Sequence, residues 1–194
     1  ANELNTKIEN SGYPNGIVSK KWRMISFPGN VSDSLIKNPK NEGHVFYSWD
    51  NLENKWLLPE SVEPGNAYWF KHNYDKAVPF SSDSGTAVPL QKYKINLKKG
   101  WNMIGSPFAF PVNVESDLSI VSDLYFFGDS LDRDGWVLKE NIMNPWAGYA
   151  IYTDSEDASI NLIPINEDEF QRNISRKSND DEWLILINAE TKLN

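Results

Sequence analysis

The sequence predicts an all-β protein built from two related halves of roughly 80 residues, packed as a sandwich-like or barrel-like body. Three observations predict it. A motif recurs: Trp22-Arg23-Met24-Ile25-Ser26-Phe27-Pro28 is echoed by Trp101-Asn102-Met103-Ile104-Gly105-Ser106-Pro107, so both stretches read Trp-x-Met-Ile-(small)-x-Pro. Short runs of apolar and aromatic residues alternate with Pro/Gly turns along most of the chain. Aromatic residues make up 13% of the chain and include eight tryptophans, a composition that suits strands.

The echo extends in constant order. Ile17 to Trp22 matches Ile95 to Trp101 with one residue inserted. Val45-Phe46-Tyr47-Ser48-Trp49 aligns with Leu124-Tyr125-Phe126-Phe127-Gly128, and Trp56 with Trp136. Pro64-Gly65-Asn66-Ala67-Tyr68-Trp69-Phe70 aligns with Pro145-Trp146-Ala147-Gly148-Tyr149-Ala150-Ile151. The offset drifts only from 79 residues at Trp22/Trp101 to 81 at Tyr68/Tyr149. Constant order with small drift is the pattern of one unit used twice with altered loops.

Taken in order, residues 1–16 form a polar arm punctuated by Ser11-Gly12 and Pro14-Asn15-Gly16. The first β repeat spans 17–85 and the second 86–165. Each is expected to open on a strand that turns at Lys20-Lys21 or Lys98-Lys99 and returns as a hairpin through Trp-x-Met-Ile. Pro28 and Pro107 end that strand because proline has no N–H for the ladder. A short helical turn is expected at 32–36 and again at 114–120, with Ser or Asp as cap. In Val45–Trp49 the alternation puts Val45, Tyr47 and Trp49 on one face and Phe46 on the other. Residues 50–54 form an acidic turn to a strand at Lys55–Leu58, and Pro64-Gly65 leads into Ala67–Phe70. Ala158–Ile163 makes a further strand. Residues 166–182 read as a charged linker or turn. Residues 183–194, opening on Trp183-Leu184-Ile185-Leu186-Ile187, read as a final strand or the start of a truncated next module.

The net charge is −8 with no basic face, which argues against a nucleic-acid partner. No apolar run is long enough for a membrane helix, so no membrane insertion is expected. The chain has no cysteine, so disulfide and thiolate chemistry are excluded. His44 and His72 lack metal-ligand spacing and read as surface histidines. Neither a nucleophile elbow nor a phosphate-binding glycine loop is present, and the carboxylates sit in turns; no catalytic residue is assigned and no enzyme is expected.

Two sets of residues carry possible binding chemistry. Asp129, Asp132 and Asp134, followed by Gly135, resemble part of a calcium loop; Ser130 stands where its first Asp belongs, and an Asp-Gly hairpin tip is the competing reading. Calcium is the one cofactor this pattern suggests. The tryptophans are the other set. Trp22/Trp101, Trp56/Trp136 and Tyr68/Tyr149 occur in both repeats and are expected to fill equivalent core positions. Trp49, Trp69 and Trp146 have no aromatic twin and are the candidates for a surface platform that stacks sugar rings, with further core packing as the alternative.

Gly100-Trp101-Asn102-Met103-Ile104-Gly105-Ser106-Pro107-Phe108, followed by Pro145-Trp146-Ala147-Gly148-Tyr149 and preceded by the Trp22–Pro28 run, resembles a module of large secreted or cell-surface proteins of Bacteroidetes-like environmental bacteria. The resemblance covers roughly residues 20–155. It implies an exported β-module within a multidomain chain, extracellular or at the cell surface, and no catalytic residues. The expectation is a non-catalytic structural, adhesive or interaction module, partnered by other domains of its parent protein or by surface proteins. The alternative is a carbohydrate-binding module taking polysaccharide on exposed tryptophans.

Overall fold

A computed structural model of the chain describes residues 11–12, 17–31, 43–73, 81–82, 85–117, 121–130, 133–139 and 141–164. All of them fall within one compact unit, Ala1–Pro164. The expected linker and final strand at 166–194, and the helical turn at 32–36, lie outside the described residues. Among the described residues there is no helix; Val112–Glu115, which overlaps the second expected helical turn, is a strand.

The strands of the first repeat are β1 (Ser11–Gly12), β2 (Arg23–Ser26), β3 (Asn30–Val31), β4 (His44–Asp50), β5 (Lys55–Leu57), β6 (Ala67–His72), β7 (Ser81–Ser82) and β8 (Gly85–Thr86). Those of the second are β9 (Tyr93–Asn96), β10 (Gly100–Gly105), β11 (Val112–Glu115), β12 (Leu124–Ser130), β13 (Arg133–Lys139), β14 (Ile142–Met143), β15 (Gly148–Thr153) and β16 (Ser159–Ile163). Among the described residues they form three four-stranded antiparallel sheets, ordered β2-β6-β4-β5, β10-β15-β12-β13 and β14-β11-β16-β9, with two-stranded pairs β1-β7 and β3-β8. The body is all-β and sandwich-like. The first two sheets repeat one strand order, so β2, β4, β5 and β6 occupy the places of β10, β12, β13 and β15.

Register carries the correspondence to single residues. Ile25 pairs with Tyr68 as Ile104 pairs with Tyr149, and Ser26 with Ala67 as Gly105 with Gly148. Tyr47 lies opposite Trp69 and Tyr125 opposite Ala150, the residue equivalent to Trp69. Trp49 lies opposite Trp56, and Phe127 opposite Trp136. Tyr47 therefore corresponds to Tyr125, and Trp49 to Phe127. The sequence alignment of this strand is out by one residue, because it matched aromatic identity where the pleat is set by the inward-facing residues Phe46 and Leu124, both buried.

Two cores result. In the second half, the sheets containing β10 and β9 enclose Ile95, Leu124, Met143, Tyr149, Ile160 and Leu162 among others. In the first half, Ile17, Ile25, Phe27, Phe46, Tyr68 and Phe70 cluster, and one residue of the second repeat, Trp146, joins them. Tyr68 and Tyr149 are both core residues, and each phenol oxygen accepts a backbone N–H at 2.8 Å, from Glu63 and Asn144 respectively.

The halves hold each other reciprocally. Ile25 bridges Ala147, and Asn66 bridges Ile104. Ser26 N–H donates to the Trp146 carbonyl at 3.0 Å, and Gly105 N–H to the Gly65 carbonyl at 3.0 Å. Residue i of one half meets residue j of the other and the reverse, which is the signature of an approximate twofold axis. The small residue of the repeated motif explains itself here. A Cβ on Gly105 would overlap Ser26 Cβ and stand 3.1 Å from the Asn66 carbonyl oxygen; one on Gly148 would overlap Met24 and lie 2.8 Å from Ala67 Cβ. Two strands this close leave room only for Ser, Ala or Gly, and this is why β2, and β15 apart from half-buried Tyr152, are buried on both faces.

Three expectations are corrected. The Lys98-Lys99 turn does not close a hairpin: β9 pairs with β16 and β10 with β15, so the chain changes sheets there. Asn102 clamps that corner, accepting from Lys98 N–H and donating to the Lys98 and Gly100 carbonyls, while Gly100 takes φ +96°. The β12–β13 ladder runs to Ser130/Arg133, so Asp134-Gly135 is strand. His72 is a buried core residue whose Nε2 hydrogen-bonds to the Ile17 carbonyl at 2.7 Å, and His44 lies opposite it.

Tyr93 is the counterpart of the trespassing Trp146. Gly65 stands where the second repeat has Trp146, and both adopt positive φ, +88° and +65°. A Cβ on Gly65 would meet the Tyr93 ring at 3.3 Å, and Tyr93 Oη donates to the Pro64 carbonyl at 3.1 Å. Burial, and secondarily the Glu63 carboxylate, push the Tyr93 phenol above its ordinary value of 10.0. A raised acid pKa favours the neutral form in the fold, so this contribution is whole below pH 10 and fades as pH rises through the folded value. Tyr93→Phe is expected to flatten the alkaline fall in stability, measured as urea midpoints between pH 9 and 11. Tyr152, hydrogen-bonded to Asp154, shifts in the same direction.

Candidate functional site

Among the described residues, the outer faces of the first two sheets carry the exposed tryptophans. Trp22, Tyr47, Trp49, Trp56 and Trp69 project from the first sheet by the alternation of β2, β4, β5 and β6. Phe127 and Trp136 come from β12 and β13. Around Trp69 the rings touch in sequence: Trp22 at 6.2 Å, Trp56 at 6.2 Å, Phe127 at 4.7 Å and Trp136 at 6.0 Å between centroids. Trp49 and Trp56 meet at 4.7 Å, and Phe127 and Trp136 at 5.4 Å. The network is thus continuous from one repeat to the other, crossing at Trp69–Phe127 and Trp69–Trp136. Ring planes in these contacts around Trp69 and Trp49 meet at 54–85°, the edge-to-face geometry that aromatic quadrupoles favour.

Equivalent environments recur away from the centre. Trp22 lies beside Tyr47 and beneath Lys71 Nζ, 5.6 Å from the ring centroid. Trp101 lies beside Tyr125 and Tyr152, the residues equivalent to Tyr47 and Lys71.

Of the three tryptophans offered as platform candidates, Trp49 and Trp69 are half-buried members of this face, and Trp146 is core, as the alternative reading had it. It is 1% exposed and packs edge-on against Phe27 at 6.1 Å in the first half's core. It has no aromatic twin because it crosses into the other repeat. The tryptophans expected to be core are instead outward: Trp56 is 41% exposed, Trp101 43% and Trp136 46%, with Trp22 half-buried. Repetition marked equivalent positions, and these positions lie on the outer face. Leu138, two residues from Trp136 on the same face of β13, is exposed too.

Two of the three candidate calcium residues lie on strands, Asp129 on β12 and Asp134 on β13. Asp129 and Asp134 are directly opposed in the β12–β13 ladder, and Asp132 lies outside the described residues. Among the described residues no group of three or more His, Asp or Glu side chains is placed to hold a metal ion. The turn acid of the first repeat, Asp50, serves its own hairpin: its Oδ1 accepts Leu52 N–H at 2.9 Å and Glu53 N–H at 3.3 Å.

A cleft of about 360 Å³ lies where the halves meet, between the β4–β5 hairpin and the 59–66 turn on one side and β9–β10 on the other. Trp49, Glu60, Glu63, Asn66, Asn96 and Lys98 are among the residues that line it. Asn51 Nδ2 donates to the Trp101 carbonyl across the halves.

The fold and these surfaces define a class: an all-β body of two clasped halves with an aromatic outer face. Neither a family model, a curated protein nor a solved structure matches the chain.

Proposed function

We propose that this chain is a non-catalytic, exported interaction module of a larger secreted or cell-surface bacterial protein, and that its aromatic outer face is the contact surface. The observation that carries the reading is the continuous ring network spanning both repeats, with Trp56, Trp136 and Leu138 left open to solvent. Large aromatic side chains are enriched at protein contacts because they bury much area at little cost in side-chain freedom. Exposed apolar patches of this kind mark contact sites. The motif resemblance to modules of large bacterial surface proteins supports the exported setting, and a cysteine-free chain of net charge −8 is compatible with it. The partner is a protein surface, either another domain of the parent chain or a second surface protein. A flat platform for sugar stacking is disfavoured on this face, because its rings stand edge-to-face and Trp146 is core.

The test is site-specific photo-crosslinking in the protein as the cell makes it. A benzophenone side chain at position 56 or 136 is expected to give defined protein adducts, or defined internal crosslinks, that the same probe at exposed Lys94 does not give. Equal labelling at all three positions would refute the contact surface.

A further inference from the structure

The cleft at the junction of the halves has a chemistry different from that of the aromatic face. Asn66, Asn96 and Glu60 line it with side chains that make no hydrogen bond among the described residues. Glu63 adds a second carboxylate, already holding Ser61 Oγ at 3.1 Å, and Lys98 adds an ammonium group. Trp49 forms part of the wall, and its indole N–H is buried with no acceptor. A buried donor left unmet is unfavourable, by about 1–3 kcal/mol for a neutral group. The cavity's volume falls at the lower end of the range for small-molecule sites.

We infer that this cleft binds a neutral saccharide, with Asn66 and Asn96 holding its hydroxyls and Trp49 supplying both an apolar wall and an indole donor. A carboxamide presents one acceptor and two donors, the pattern that adjacent sugar hydroxyls complement, since each hydroxyl both gives and takes a hydrogen bond. The carboxylates of Glu60 and Glu63 accept further hydroxyl protons and, with one lysine between two acids, disfavour a polyanion. The lining is too polar for a lipid or an aromatic ligand. Binding through the indole requires the Trp49 ring to turn until its buried N–H meets a sugar oxygen. The site spans both repeats, so it exists only when they are joined. It does not depend on the contact surface around Trp136.

The experiment is a titration of the whole chain with cellohexaose, mannohexaose, xylohexaose and, as the polyanion, hexagalacturonic acid, followed by the indole N–H resonances. At least one neutral hexasaccharide is expected to shift the Trp49 indole signal saturably. Asn66→Ala and Asn96→Ala are each expected to weaken that binding about tenfold, the loss of one well-placed hydrogen-bonding group. Trp49→Phe, which keeps a ring and removes the N–H, is expected to weaken it by a similar factor. Trp136→Ala is expected to leave it unchanged. No shift with any neutral probe at millimolar concentration would overturn the inference. So would tighter binding of hexagalacturonic acid, or binding lost in Trp136→Ala and kept in both asparagine variants. None of these outcomes bears on the crosslinks at 56 and 136, so the two proposals fail separately.

Discussion

Gly105→Ala is expected to lower the stability of the whole unit by about 3 kcal/mol or more, at the upper end of the cost of overpacking a core. The added methyl would overlap Ser26 Cβ and press on Ser26 Oγ at 2.6 Å. Ser26 has no room to yield. It is fully buried, its N–H is held by the Trp146 carbonyl, and its hydroxyl donates to the Ala147 carbonyl at 2.8 Å. The cost therefore falls on the junction between the halves. A double-mutant cycle isolates it. Ser26→Gly alone is expected to lose about 1 kcal/mol, for its hydrogen bond and added backbone freedom. Combined with Gly105→Ala it vacates the volume that the methyl needs, so the double variant should be more stable than Gly105→Ala alone. Additive losses in urea unfolding would show that the two residues do not share a contact.

Trp146→Ala is the second large effect, an expected loss of about 3–5 kcal/mol, as for other fully buried large aromatics. The residue belongs to the second repeat and fills the first half's core beside Phe27. Its backbone φ of +65° adds a sign test. Left-handed backbone costs a non-glycine residue about 1–2 kcal/mol. The first repeat has Gly65 at this place and fills the space from the other side with Tyr93. Trp146→Gly should therefore be no less stable than Trp146→Ala, although it removes one more carbon from the core. A glycine variant clearly less stable than the alanine variant would mean that packing, with no backbone strain, sets the cost of this position.

These two sites also show what the sequence could and could not carry. The core role of Tyr68 and Tyr149 was read from their repetition, and fold class and most strand positions were legible, because period-2 alternation and proline stops act locally. Burial of the repeated tryptophans was not. A duplicated residue occupies a duplicated position, and at Trp56/Trp136 that position faces outward. The one-residue slip in aligning β4 with β12 hid the aromatic twin of Trp49, Phe127, since a shift of one in a strand exchanges its faces. Trp146 looked surplus because its partner in the twin is a glycine, and the ring that balances it, Tyr93, comes from a different strand. The Lys98-Lys99 corner resembled a hairpin because local sequence does not say whether the next strand stays in the same sheet. The cleft was illegible for a related reason: Asn66 and Asn96 meet only through the clasp of the halves.

That clasp is the central claim, and native-state hydrogen exchange across a urea series tests it most directly. Peptides from β4 and β6 in the first half, and from β12 and β15 in the second, should lose protection together at one urea concentration, and Trp146→Ala should shift both sets equally. If Trp146→Ala shifted only the second-half peptides, or the two sets opened at separate concentrations in the unaltered chain, the halves would be independent domains and the reciprocal junction would not be what holds the protein together.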